Sequence, residues 1–356
     1  MKHKDFLRVL LAGWTVRLLP LLFTLVIPIA ASAETYLNFS YTVKSNNTID
    51  ITAYTGIEDE VTLPAKIRGL SVTGIGKTAF YKCHSLKSVT MPESVTSIGE
   101  RAFDSCSSLS FITIPGNVAS IGEGAFFQCG LTNIAIPENV TSIGEEAFSG
   151  CTNLISVTIP GSVTNLGKRV FSGCTSLTGV TIQGAITAIG DSAFSDCTQL
   201  TRVTIPGSVT SIGDWSFSSC KSLINVTIPG SVTNLGDQAF SKCTGLTGVY
   251  FQGNAPAVCS DAFLYSSRAT IYYLKGAKGW NTRFGGRPTA WWKPQAQTNA
   301  VSTAAINRSS EVMEASGVWE TLQTNTPTGM SVQFGIPQST DAHSYDIRIQ
   351  RPKLLE

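Results

Sequence analysis

The sequence predicts a repeat solenoid, mainly β with short helical or 3-10 turns, in which about nine 23-residue units coil between an N-terminal and a C-terminal cap. Two recurrences and one exception carry that expectation. Phe recurs as Phe80, Phe103, Phe126, Phe148, Phe171, Phe194, Phe217, Phe240 and Phe263. Cys follows three residues later as Cys83, Cys106, Cys129, Cys151, Cys174, Cys197, Cys220 and Cys243. Every step is 23 residues except one of 22, where Cys129-Gly130-Leu131 is a residue shorter than Cys106-Ser107-Ser108-Leu109. Self-similarity at such a period marks a stacked architecture, because one unit cannot bury its apolar face alone.

Residues 1–33 read as a signal peptide. Lys2, Lys4, Arg8 and Arg17 precede an apolar stretch over 18–31, and Ala31-Ser32-Ala33 has the small-x-small form of a cleavage site. Pro20 and Pro28 interrupt the stretch, which is short for a membrane span. An uncleaved N-terminal anchor is the alternative. Either way the chain is exported, to be secreted or held at the cell surface. No later segment reaches 18 apolar residues, so no integral membrane segment is expected after cleavage. Removing the leader from 26 basic and 24 acidic residues leaves 22 and 23, a net charge of −1. That argues against nucleic acid, which needs a clustered basic footprint, and gives no simple electrostatic case for anionic membranes.

Residues 34–60 read as an N-terminal β cap, with strands over 37–43 and 49–54 around a polar turn at 44–47. The solenoid follows over 61–264. In one unit, Val203-Thr204-Ile205 alternates as a strand with one buried face. Pro206 ends it, having no N–H for a ladder. Val209 and Ile212 form a second inward pair, and Gly213 suits a corner needing positive φ or close backbone approach. The Phe drops into the core from a short helical or 3-10 turn. The first unit is irregular: Pro64 to Ile75 spans 11 positions against 6 from Pro206 to Ile212, so about five residues are inserted before Val72 as a loop. Residues 265–292 read as a C-terminal cap, with a strand over 269–273 and Trp280, Trp291 and Trp292 beyond it. Residues 293–306 suit a linker. Residues 307–356 read as a small β-rich tail, with alternating pieces at 332–334 and 345–349.

The unit Cys-x-x-Leu-x-x-Val-x-Ile-Pro-x-x-Val-x-x-Ile-Gly-x-x-Ala-Phe resembles the BspA-like leucine-rich repeats, over about residues 61–262. The resemblance implies a curved leucine-rich-repeat-type coil with a parallel sheet on one side, in secreted or surface proteins of bacteria and some microbial eukaryotes. Certain members are adhesins. The motif is structural and brings no catalytic or binding residue with it. The segment after the repeats resembles the closing segment found after BspA-like repeats in some environmental bacterial proteins, and its aromatics are expected to plug the last coil.

No chemistry of an enzyme stands out. Stacked Cys side chains point the same way, too far apart at Cβ for a relaxed disulfide, and suit buried free thiols. Cys259 lies outside the column and leaves an odd count. Only His84 and His343 follow the leader, so no metal site is expected, and no cofactor-binding motif is present. Glu100, Glu123, Glu145, Asp191, Asp214 and Asp237 recur after the corner Gly. They read as a solvated corner rather than as a glycosidase pair.

The outward strand position forms the column Thr90, Thr113, Ala135, Thr158, Thr181, Thr204, Thr227 and Tyr250. A second column runs through Thr73, Thr96, Thr141, Thr164, Thr187, Thr210 and Thr233. Stacked Thr can reflect β propensity and hydroxyl hydrogen bonds, or form a flat recognition face. The expected function is therefore a non-catalytic, monomeric interaction protein whose solenoid binds an unidentified macromolecule by adhesion or protein recognition. Candidate contact residues are Thr158, Thr181, Thr204, Thr227 and Tyr250. A glycan-binding end built on Trp280, Trp291 and Trp292 is one alternative; an architectural spacer of roughly 40 Å, at ~4.8 Å per coil, is another.

Overall fold

The computed structural model describes residues 34–258 and 261–292, with the backbone of Val332–Gly335 and Asp346–Ile349. Residues 1–33, read as a signal peptide, Cys259, the expected linker and most of the expected tail lie outside the described residues. The chain divides into two units, residues 1–294 and 295–356. In the second, Val332–Gly335 pairs antiparallel with Asp346–Ile349.

The first unit is the β-solenoid the period predicts. Each coil places one short strand on each of two sides. On the first side, three parallel ladders hold equivalent residues of successive coils in register, 23 apart within the regular units. Glu60–Thr62, Ser88–Thr90 and Phe111–Thr113 form one. Ser156–Ile159, Gly179–Ile182 and Arg202–Thr204 form the next. Asn225–Ile228, Gly248–Phe251, Thr270–Leu274 and Arg287–Trp292 form the last. The ladder breaks at the 22-residue unit, where only the bridge Asn133↔Ser156 remains. Two-residue strands such as Ser211–Ile212 and Asn234–Leu235 pair on the second side.

Between the sides runs a continuous core. Phe80 to Phe263 stack in near-parallel pairs with ring centroids 4.9–5.7 Å apart, and all nine are fully buried. Beside them each Cys thiol from Cys106 to Cys243 donates to the carbonyl oxygen of a Phe one coil back, at 3.0–3.2 Å. The eight described thiols are free, Cys83 half-buried and the others buried. Burial pushes the thiols of Cys151 and Cys243 up to about 12 and those of Cys174 and Cys220 well above their ordinary range. These are inert packing groups.

Both alternatives left open for the corner Gly resolve to close approach. A Cβ on Gly167 would lie 2.4 Å from the Glu145 nitrogen and the Gly144 carbonyl carbon. The Gly N–H donates instead to an Ile carbonyl one coil back, as Gly167 does to Ile143 at 2.8 Å. Positive φ falls two and six residues later, for instance at Ser192 (54°) and Asp196 (58°). The Phe-bearing segment is a run of tight turns closed by i→i−3 bonds, such as Cys197 N–H to the Phe194 carbonyl, and the positive φ of Asp196 inside that turn sets it apart from the expected helical or 3-10 turn. Regular helix does not form among the described residues. Every second N–H goes to the next coil, as Phe194 does to Ser216 and Asp196 to Ser218, so a continuous helical ladder has no donors left.

The caps complete the core. Phe39–Val43 and Ile49–Tyr54 form the expected hairpin, with the added strand Glu34–Tyr36 on its outer edge. Tyr54 stacks on Phe80 at 5.2 Å and Phe39 packs on Tyr54 at 5.3 Å, extending the ring ladder. The insertion before Val72 is not an open loop. Lys66–Ile67 pairs with Leu70–Ile75 around Arg68-Gly69, both at positive φ, and Ile67 is fully buried. That is a two-residue hairpin turn, which sets a third small strand against the coil. At the far end, Arg283–Phe284 and Arg287–Trp292 turn around Gly285-Gly286, again at positive φ. Gly285 sits so close to Phe263 that a Cβ would come within 2.8 Å of its ring.

Candidate functional site

Alternation on the first side buries Val157, Val180, Val203 and Val226, so Thr158, Thr181, Thr204 and Thr227 face outward. All four are exposed, and the first three are in direct ladder register. Their neighbours two residues before are Ser156, Gly179, Arg202 and Asn225. Arg202 and, beside Ala135, Glu138 are its charged groups.

Two adjoining shallow depressions mark it. One is lined by Asn133, Ala135, Glu138, Ser156 and Thr158, the other by Ser156, Thr158, Gly179, Thr181 and Arg202. Their cause is local. The short unit loses its strand, Ala135 lacks the hydroxyl and methyl that the column carries elsewhere, and nothing lies within 4 Å of a Cβ built on Gly179.

Tyr250 continues the Thr column but does not stand alone. Its ring stacks on Tyr272 at 4.8 Å and meets Trp292 edge-on at 5.0 Å. It also lies over Gly248, whose missing side chain makes the room. Tyr272 was not singled out by the sequence reading. The signal for it was present: it occupies the next register position after Tyr250.

The three Trp of the C-terminal cap do not share one surface. Trp280 stacks on Tyr273 at 5.0 Å, packs against Phe251 and Phe284, and donates its indole N–H to the Gly253 carbonyl at 3.3 Å. It plugs the last coil. Trp292 joins Tyr250 on the outward face. Trp291, in register with Tyr273, points to the other side and is 58% exposed, with the Lys275 ammonium 5.1 Å from its ring centre.

The second Thr column proves structural. Thr96, Thr164, Thr210 and Thr233 donate their hydroxyls to the carbonyl of the Thr one coil back, at 3.0–3.5 Å. The acidic corner is partly structural too. The Asp191 carboxylate accepts the Asp214 N–H at 3.1 Å, and that of Asp214 accepts the Asp237 N–H at 2.7 Å. Among the described residues no group of three His, Cys, Asp or Glu is placed to hold a metal ion, and no helix is long and apolar enough to cross a membrane.

A family model for the BspA type leucine rich repeat region matches the chain in six copies, over residues 73–187 and 164–282. Among solved structures the chain is similar to a leucine-rich repeat protein from Bacteroides ovatus ATCC 8483, 29% identical with a TM-score of 0.60, over 67% of this chain and 70% of that one. It is also similar to a T. pallidum leucine rich repeat protein, 31% identical over 60% of this chain and 91% of that one, at a TM-score of 0.48. A leucine rich cell surface protein from Faecalibacterium prausnitzii A2-165 is 27% identical over 76% and 98%, at 0.46. No curated protein matches the chain.

Proposed function

This chain belongs to the BspA-type leucine-rich repeat family, and from that premise we propose that it is an exported, non-catalytic recognition protein that holds a protein partner against the first-side sheet. The observation that carries the reading is the outward column Thr158-Thr181-Thr204-Thr227, a nearly neutral face set over two adjoining depressions. A rigid, pre-formed surface binds without ordering cost. Its polar, weakly charged character fits a partner recognised by shape and hydrogen bonds rather than by charge. The leader-like composition of residues 1–33 supports export to the cell surface or beyond. The period itself uses Phe, Cys, Gly and Ile for packing, so specificity is left to the outward positions.

The test is retention of extracellular-matrix or neighbouring-cell proteins by the mature chain. Thr158→Lys/Thr181→Lys/Thr204→Lys places three charges on the face without touching the core. Loss of the retained protein with this variant, at an unchanged melting temperature, supports the reading. Equal retention overturns it.

A further inference from the structure

The first-side sheet is open at its N-terminal edge. Among the described residues Glu60–Thr62 pairs with Ser88–Thr90 and with no other strand. The cap hairpin misses this edge, because Ile49–Tyr54 pairs with Leu70–Ile75 on the second side. The Ser88 N–H donates to the Asp59 carbonyl at 3.1 Å, and the Leu63 N–H to that of Thr90 at 2.9 Å. Alternate residues of a strand direct their N–H and C=O to opposite sides, so those of Glu60 and Thr62 point away from the sheet. An unpaired row of this kind is a template for another strand.

A shallow cavity runs beside that edge, lined by Asn38, Phe39, Tyr54, Glu58, Glu60 and Thr62. Two aliphatic side chains flank it, Leu37 at 80% and Ile57 at 89% exposure. The segments that carry them are bonded to each other: the Asn38 side-chain amide donates to the Glu58 carboxylate at 3.1 Å, and the Thr55 N–H to the Asn38 carbonyl at 2.9 Å. Leu37 also holds φ 53° in the two-residue turn between Tyr36 and Phe39, a conformation that suits Gly. The packing of the cap makes little use of this exposed side chain.

The charge beside the edge is negative. Residues 34–60 carry five acidic side chains, Glu34, Asp50, Glu58, Asp59 and Glu60, against the single basic Lys44. Arg68, Lys44 and Lys87 pair with Glu34, Asp50 and Asp59. No ion pair among the described residues takes Glu58 or Glu60. The Tyr54 hydroxyl donates to the Glu58 carboxylate and holds it below its ordinary range. Both carboxylates are exposed at the rim of the cavity.

We propose that this edge takes up an extended segment of a partner protein, one that alternates basic and apolar residues, as an added strand beside Glu60–Thr62. Side chains of a strand alternate between its two faces. Those on the outward face of Glu60 and Thr62 meet the carboxylates, and those on the inward face of Val61 lie toward Phe39 and Tyr54. Main-chain bonds give such a complex its affinity, and the alternating side chains give its specificity. A second copy presenting the same edge would set carboxylate against carboxylate, and an anionic lipid surface would meet the same repulsion. The inference does not rest on the Thr158–Thr227 column, which lies further along the solenoid.

The test uses the mature chain and a synthetic peptide of alternating Lys and Val, blocked at both ends. The peptide should bind, and its analogue with Glu for Lys should not. Glu58→Gln/Glu60→Gln should weaken binding roughly three- to tenfold at low ionic strength, with the difference shrinking as salt rises. Thr62→Pro removes an N–H that faces away from the ladder, a position where an edge strand tolerates Pro, and should weaken binding at least about tenfold. Methylating alternate amide nitrogens of the peptide blocks the same bonds with the protein unaltered, and should abolish binding. Equal binding of the Glu analogue or of the methylated peptide overturns the proposal, as does full binding by Thr62→Pro. Sedimentation showing a dimer that Thr62→Pro dissolves, or vesicle binding that Leu37→Ser/Ile57→Ser removes, would assign the edge to another occupant and overturn it too. Thr158→Lys/Thr181→Lys/Thr204→Lys should leave peptide binding unchanged, so this idea and the sheet-face reading can fail separately.

Discussion

Replacing Phe171 by Ala removes one ring from the middle of the ladder. Phe171 is fully buried, with Phe148 5.4 Å on one side and Phe194 5.6 Å on the other. Deleting a buried Phe side chain costs about 3–5 kcal/mol, and here two ring pairs go with it. Phe263 is just as buried but has a ring neighbour on one side only, at 5.7 Å, with Gly285 closing the other. Phe263→Ala should therefore cost less than Phe171→Ala by roughly one aromatic pair, about 0.5–1.5 kcal/mol. Urea unfolding of the mature chain, followed by circular dichroism, measures both. Because each coil contacts only its neighbours, the central variant should also split the transition as the two halves uncouple. A cost below about 1.5 kcal/mol for Phe171→Ala, or a larger cost at Phe263, would refute nearest-neighbour stacking as the source of stability.

Other consequences follow from the same packing. Gly167→Ala should lose at least about 2 kcal/mol by steric overlap with the coil before it. Gly207→Ala, with nothing within 4 Å of its Cβ, should stay within about 0.5 kcal/mol, and thermal melts of the pair decide this. The buried thiols hold their protons in the folded state to about pH 12 at Cys151 and Cys243, against an ordinary value of 9.0. Their contribution to stability is thus complete below pH 9 and falls as pH rises through the window to 12. Cys151→Ala/Cys243→Ala should flatten that alkaline loss in a pH series of urea midpoints, and native thiols should resist alkylation that the unfolded chain undergoes at once. Intact-mass analysis of the exported protein should find Glu34 at its N-terminus; a mass retaining residues 1–33 would mean an uncleaved anchor.

The period made the coil legible because every unit spends the same residues on the same contacts. Phe171 and Cys174 could be placed in the core from spacing alone, and both are fully buried. What the sequence did not reveal depends on two coils at once. The corner Gly was consistent with positive φ or with close approach. Only the neighbouring backbone, 2.4 Å from a Cβ at Gly167, decides between them. The left-handed positions had only a partial Gly signature: Gly124, Gly150 and Gly173 occupy them in three coils, whereas Ser192, Asp196 and Trp215 hold positive φ in others because bonds to the next coil fix the turn. The hairpin at Lys66–Ile67 was read as a loop because its turn is Arg68-Gly69, with only one glycine to mark it. At the candidate surface, the column ending in Tyr250 was visible, whereas its partner Tyr272 required the register of a strand outside the repeat. The three Trp were open to two readings in sequence, a plug for the last coil or one platform. Strand alternation sends Trp291 and Trp292 to opposite sides, and the core claims Trp280.

The central claim is that the repeat is scaffold and that recognition lies on the outward first-side column. The most direct measurement compares affinity for a retained protein partner between Thr158→Lys/Thr181→Lys/Thr204→Lys and Thr164→Lys/Thr187→Lys/Thr210→Lys, the same substitution on the other side of the same coils. The account predicts at least about a tenfold loss, roughly 1.4 kcal/mol, for the first variant and none for the second. Equal losses, or a loss confined to the second, would contradict it.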